Sequence, residues 1–302
     1  MERMDAVVRS GVSAATTKAR AQEDLALLIA WSAQAPHRVG EVALLSAQKP
    51  LYALGGDPDP VARLALGRER GQQLVFFRQR PLGVRDGERS PSTLAEQQVP
   101  MFPSRLLELR PLKHAVFVKN MGGHPIFVNG SKLWETPVVP GDTIYLEDRL
   151  VLYCSKRPPQ LASLQKYPVE NAPFFGLPDD SGLVGESPLV WAARECIAQA
   201  VGPCVDPPLS QRIEDLPLLV NHLLRVAAQR PDLDLSRFFC DGLPRIHPLL
   251  MVQLLRRGQA LQLSGLSALL PRAVARSRGS VIEPLPSTDL EPARPRTSAP
   301  RT

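Results

Sequence analysis

The sequence predicts a mainly β N-terminal domain, an antiparallel β-sandwich, followed by a small α-helical region. Three observations predict it. Short apolar runs broken by turn residues fill the first half, the hydrophobic period becomes helical after residue 182, and proline punctuates both parts. The chain has 302 residues, 44% of them apolar, so it can bury a sizeable core and is not a disordered protein. Its 31 prolines are roughly double the usual share of about 5%. Each removes a backbone donor and fixes φ, which excludes an architecture of long uninterrupted helices.

Residues 1–23 are polar and rich in Ala, Ser and Thr, without a sustained apolar period, and read as a flexible leader. They mix Glu2, Arg3, Asp5 and Arg9 and contain no apolar block of signal-peptide length, so we expect a cytoplasmic protein. No window reaches the roughly 18 apolar residues of a spanning helix, and no membrane partner is expected. The β-domain should occupy 24–156. Its strand candidates are Leu25–Trp31, Arg38–Leu45, Pro50–Leu54, Leu74–Arg78, Arg105–Leu109, Ala115–Lys119, Ile126–Asn129 and Thr143–Cys154, separated by Gly, Pro or Asp turns. Pro81–Pro103 has turn residues and no period, and reads as a long internal loop. A Pro-rich linker is expected over 157–182.

Helical spacing begins at Ser187, a good N-cap, with Pro188 at the first helical position and Leu189, Ala193 and Ile197 on one face. Asp215 is placed to cap a second helix with Leu219, Leu223 and Val226 as its stripe, closed by Pro231. Further helices are expected over Leu235–Cys240, Pro248–Arg256 and Gly265–Ala275, the helical region covering 183–276. The tail, 277–302, is rich in Pro, Ser and Arg and is expected to be disordered.

Composition narrows the chemistry. Lys+Arg exceed Asp+Glu by 36 to 30, a mild excess without the dense basic stripe of a nucleic-acid binder. Cys154, Cys196, Cys204 and Cys240 form no C-x-x-C pair and have no histidine at ligand spacing, so they read as reduced structural thiols, with no metal. His37, His114, His124, His222 and His247 are scattered, and no G-x-S-x-G elbow occurs. No catalytic residue, enzymatic activity or cofactor is expected.

The segment Asn120-Met121-Gly122-Gly123-His124-Pro125-Ile126-Phe127-Val128-Asn129-Gly130, with Val139-Pro140-Gly141-Asp142-Thr143-Ile144 and Leu150-Val151-Leu152-Tyr153-Cys154, resembles the C-terminal half of a forkhead-associated (FHA) domain. The resemblance covers about residues 25–156. It implies an FHA-like sandwich whose end loops bind phosphothreonine peptides, and it points to Ser104, Arg105, Gly55, His124 and Asn129 as binding residues. The phosphate chemistry asks for a guanidinium with hydroxyl or amide donors beside it. The sequence departs from the family at two donors. Leu54-Gly55-Gly56-Asp57 puts Gly56 where the family has arginine, and His124-Pro125 stands where it has Asn-Gly. Ser104 and Arg105 are then the principal anion-binding candidates, with Arg63, Arg68, Arg70, Arg78, Arg80, Arg85 and Arg89 as a diffuse positive field. Asn129-Gly130 reads first as a hairpin tip.

Leu183-Val184-Gly185-Glu186-Ser187-Pro188 resembles the opening of the ATPase domain of sigma-54-dependent activators, and Arg212-Ile213-Glu214-Asp215-Leu216-Pro217-Leu218-Leu219 resembles the segment leading into its lid. The catalytic middle that the family places between them is missing. No G-x-x-x-x-G-K-[S/T] loop can wrap a phosphate, and nothing after Ala275 can form a helix-turn-helix. The resemblance therefore implies a degenerate ATPase remnant without direct DNA binding. The expected function is a non-enzymatic signalling module that binds a protein partner, phosphothreonine-bearing or not. The alternative is an adaptor-type transcription regulator associated with a related ATPase activator.

Overall fold

The computed structural model describes residues 23–55, 72–84, 105–199, 206–230 and 234–286. The expectations for the leader (1–22), Gly56, Asp57, Arg63, Arg68, Arg70, Arg85, Arg89, Ser104, Cys204 and the end of the tail (287–302) lie outside the described residues.

The first half is a sandwich of two sheets. Its strands are β1 (Asp24–Ser32), β2 (Val42–Leu45), β3 (Tyr52–Leu54), β4 (Gln72–Gln73), β5 (Leu107–Pro111), β6 (Val116–Asn120), β7 (Ile126–Val128), β8 (Ser131–Leu133), β9 (Glu135–Val138), β10 (Thr143–Leu146) and β11 (Leu150–Arg157). Among the described residues one sheet runs β2-β1-β11-β10-β7-β8 and the other β4-β3-β5-β6-β9. All pairings are antiparallel except β3 with β4. The Asn129-Gly130 tip behaves as its residue types require. Both residues have positive φ, 51° and 86°, in a two-residue loop joining β7 to β8. At the next reversal Pro140 and Gly141, with φ 102°, carry the type II pattern, closed by the Asp142 N–H donating to the Val139 carbonyl at 3.0 Å.

The two sheets differ in what covers them. In β5 and β6 buried and partly exposed residues alternate, as they do in a sheet with one face in water. β1 and β11 are buried almost continuously, so both faces of their sheet are covered. Alternation along β11 puts Tyr153, Ser155 and Arg157 on one face and Leu152 and Cys154 on the other. Because Arg157 pairs with Glu214, the first face is the one turned toward the helical region.

The helical region holds α1 (Pro188–Ala198), α2 (Leu216–Ala228), α3 (Pro248–Arg257) and α4 (Leu263–Arg276), with a short hairpin of β12 (Phe239–Cys240) and β13 (Leu243–Pro244) between α2 and α3. α3 lies against β1, β10 and β11. Its buried Leu250 and Leu254 belong to one hydrophobic cluster with Leu28 and Tyr153, a cross-strand pair on the face turned toward the helices. The indole N–H of Trp31 on β1 donates to the Ile246 carbonyl at 2.8 Å, tying the two parts by a hydrogen bond as well.

Several expectations need correction. Residues 157–182 are not a free connector, since Arg157 ends β11 and is buried and Leu161 is buried too. The span Leu235–Cys240 is a 3-10 turn, Ser236–Phe238, running into β12, because Phe238 is drawn into the core. Ile197 and Val226 are exposed, the inward faces being Val190, Trp191 and Arg194 on α1 and Leu216–Val220 with Leu224 on α2. The start of the tail is ordered. Ile282 is buried and bridges Ile246, and Gln253 binds both backbone groups of Leu285.

Candidate functional site

One end of the sandwich gathers most of the sequence-derived candidates. Leu106 donates its N–H to the Leu54 carbonyl at 2.8 Å, which sets Arg105 beside Gly55, and Met121 donates to the Leu106 carbonyl at 2.8 Å, which adds the β6–β7 loop. Gly55 has φ 93°, the left-handed conformation that lets the chain leave β3 there. The loop 121–124 is shaped by Asn120, a residue not singled out as functional by its sequence. Its Oδ1 accepts from the Gly122 N–H at 3.0 Å and its Nδ2 donates to the His124 carbonyl at 2.8 Å. An Asx residue two positions before the first of a glycine pair, the spacing of an Asx turn, is the signal that could have marked it.

The end carries cations and apolar surface together. The Arg149 guanidinium, on the β10–β11 turn, donates to the His124 Nε2 at 3.0 Å, so that nitrogen acts as acceptor there. The Asn120 N–H donates to the Trp134 carbonyl, bringing Trp134, 63% exposed, beside Met121, 41% exposed. Arg105 is largely buried and its guanidinium lies 3.7 Å from Glu108, which also holds Arg110 at 3.1 Å. Asn129 is not part of this group. It stands at the far end of β7, where its Nδ2 donates to Asp142 Oδ1 at 2.7 Å and its Oδ1 accepts from the Thr143 N–H at 3.0 Å. It fastens two reversals together, and a cation from α3 is its neighbour, Arg256 lying close to Gly130.

A second concentration of chemistry lies where the sandwich meets the helical region. The carbonyls of Leu183, Val184, Gly185 and Glu186 accept, in order, from Arg194, Arg212, Arg194 and Arg157, at 2.9–3.3 Å. The Glu186 and Ser187 N–H groups donate to Asp215 Oδ1 at 2.7 and 2.9 Å. Asp215 is therefore not the side-chain cap of α2 but a clamp on the segment entering α1. The reason is geometric, since Gly185 has φ 139° and no Cβ, and a Cβ there would lie 2.6 Å from Asp215 Cγ. Glu186 is fully buried and accepts from Arg80, from the Trp191 indole and from the Gly176 N–H. Trp191 is stacked by two guanidiniums, Arg194 at 4.4 Å and Arg80 at 5.2 Å from its ring. Asp179, inside the span expected to be a linker, pairs with the buried Arg194 at 3.0 Å.

The backbone of 183–187 is thus engaged by the protein's own side chains. Among the described residues no group of three or more His, Cys, Asp or Glu side chains could hold a metal ion, and no helix is long and apolar enough to cross a membrane. No protein-family model matches the chain, and a search of curated proteins returns no match.

Proposed function

We propose that the protein is a non-enzymatic binding module that engages a protein partner through the sandwich end formed by Gly55, Arg105, the 121–124 loop, Trp134 and Arg149. The observation that carries this reading is the juxtaposition there of exposed Trp134 and Met121 with three cationic or imidazole side chains on adjoining loops. Aromatic and arginine side chains are what interface anchors are made of. The hairpin at Asn129-Gly130 and the Pro-Gly-Asp turn support an FHA-like identity for the sandwich, and with it a preference for phosphothreonine peptides read by Arg105.

The test is titration of matched phosphorylated and plain threonine peptide libraries against the full chain. Charge-assisted contacts contribute about 1.5–3 kcal/mol, so Arg105→Ala should weaken phosphopeptide binding by roughly 10- to 150-fold while Trp134→Ala weakens both peptide forms. Glu108→Gln should tighten phosphopeptide binding, because Glu108 competes for the same guanidinium. Equal binding of the two peptide forms, unmoved by Arg105→Ala, removes the phosphate from the reading.

One observation favours a second reading, an adaptor for a sigma-54-type activator. The two segments that resemble that family touch each other directly, Arg212 donating to the Val184 carbonyl and Asp215 accepting from Glu186 and Ser187. Co-purification with an intact activator ATPase tests it, and retention of the wild-type elution profile when the two are mixed argues against it.

A further inference from the structure

Five acids surround the 183–187 clamp, and four of them hold a guanidinium. Glu214 holds Arg157 at 3.0 Å, Glu186 holds Arg80 at 3.2 Å, Asp179 holds Arg194 at 3.0 Å, and Asp206 holds Arg212 at 2.6 Å. Asp215 is the fifth, 1% exposed, with only two backbone N–H groups on Oδ1. Among the described residues its buried Oδ2 has no hydrogen-bond partner. The Gly185 backbone packs directly on this carboxyl, so no side chain can enter from that side. A buried carboxylate oxygen with no donor is costly while it is charged, and a proton removes most of that cost.

We propose that Asp215 is a proton-responsive latch: taking up one proton on the carboxyl strengthens the hold of the start of α2 on residues 186–187, the segment that enters α1 beside the sandwich, and losing it as the pH rises loosens that hold. The groups that face it set its response. The negative charges of Glu214, on its own turn, and of Glu186, on the segment entering α1 and itself pushed up by burial, favour the protonated form, whereas Arg157, from β11, favours the charged form. Arg212, three residues earlier, is engaged by Asp206 and two carbonyls. Burial is the largest effect on Asp215, followed by the Glu214 charge, and together they push its pKa above the ordinary aspartate range, against the opposing bonds from Ser187 and Glu186 and the Arg157 charge. The folded state therefore binds the proton more tightly than the unfolded one. The stabilisation is complete below the unfolded pKa and is lost as the pH rises through the folded value.

The experiment is urea unfolding of the full chain from about pH 7.5 to about pH 4.5 at constant ionic strength, comparing wild type with Asp215→Asn. The wild-type folding equilibrium should shift toward the folded state relative to the variant as the pH falls, by at most about tenfold per pH unit for one proton. His222, whose pKa burial lowers, acts in the opposite direction in both proteins and cancels in the difference. Parallel curves over the whole window overturn the proposal. Glu186→Gln should reduce the slope without abolishing it, because Glu186 is itself pushed up by burial and its charge favours the protonated Asp215; complete loss there with retention in Asp215→Asn assigns the proton to Glu186 and overturns the proposal as well. Should Asp215→Asn fail to fold, the carbon-13 shift of the Asp215 carboxyl in wild type decides. A titration above the ordinary aspartate range supports the latch, and a carboxylate shift throughout overturns it.

Discussion

Asp179 and Arg194 respond to acid in the sense opposite to Asp215. Burial by itself would raise the Asp179 pKa, but the hydrogen bonds from Ser181 and Leu183 and the Arg194 guanidinium outweigh it and hold it below the usual aspartate range. A carboxyl held low in the folded state contributes stability above its unfolded pKa and loses that contribution as the pH falls through the folded value. Both side chains are at most 4% exposed, so Asp179→Asn leaves a buried guanidinium without its counter-charge. Removing one partner of such a pair costs about 3–5 kcal/mol. At neutral pH the urea midpoint of Asp179→Asn should drop accordingly, and the deficit against wild type should shrink toward about pH 3, below the reference value for aspartate. A deficit that stays constant with pH would show that Asp179 acts by shape and not by charge.

At the level of elements, α1 shows what local signals establish and where they stop. Ser187 was readable as its N-cap, and its Oγ accepts from the Val190 N–H at 3.2 Å, with Pro188 at the first helical position. Replacing such a cap with alanine costs about 0.5–2 kcal/mol. Because this cap is buried, Ser187→Ala should fall in the upper part of that range by urea unfolding, and a change below about 0.3 kcal/mol would mean the helix start is held by the arginine clamp alone. Most strands were legible for the same reason, since apolar alternation and turn residues are local properties, but the polar β8 and β9 were missed and Leu74–Arg78 forms only a single bridge, Phe77 to Val42. The near-continuous burial of β1 and β11 was also written in Leu25–Ala30 and Leu150–Cys154, runs too apolar for a sheet with one wet face. Asp215 was misjudged because an acid before Leu216-Pro217 looks like a cap, whereas its true partners, Glu186 and Ser187, lie 29 and 28 residues earlier. Of the candidate site, Gly55, Arg105 and His124 share one end as the strand order demands. Asn129 falls at the other end because β7 is only three residues of extended chain and reverses at Asn129-Gly130. The contributions of Trp134 and Arg149 come from cross-strand neighbours, which no single stretch of sequence reveals.

Across the whole molecule, the charged clamp and the apolar contact of α3 act on the same boundary. Arg157 and Trp31 are side chains of the sandwich whose hydrogen bonds to Glu214, Glu186 and Ile246 cross into the helical region. The buried leucines of the helical region, among them Leu250, Leu254 and Leu266, belong to the same cluster as those of the sheets. Two halves that share one core should unfold as one cooperative unit. Leu254→Ala, a change in α3 at a position with 0% exposure, should therefore destabilise the entire chain and not the helices alone. Its cost is that of a buried leucine, about 2–5 kcal/mol. Two probes on opposite sides of the boundary separate the possibilities. Helical circular dichroism reports α1–α4, and Cys154 reports the sandwich interior, since burial pushes its pKa up to about 12 and keeps its thiol unreactive while the sheets are packed. In wild type and in Leu254→Ala the loss of helicity and the exposure of the Cys154 thiol should coincide along a urea gradient, both displaced to lower urea in the variant. If helicity is lost first while Cys154 stays protected, the sandwich stands without its helical cover, and the polar junction would then be an interface between independent domains instead of the interior of one.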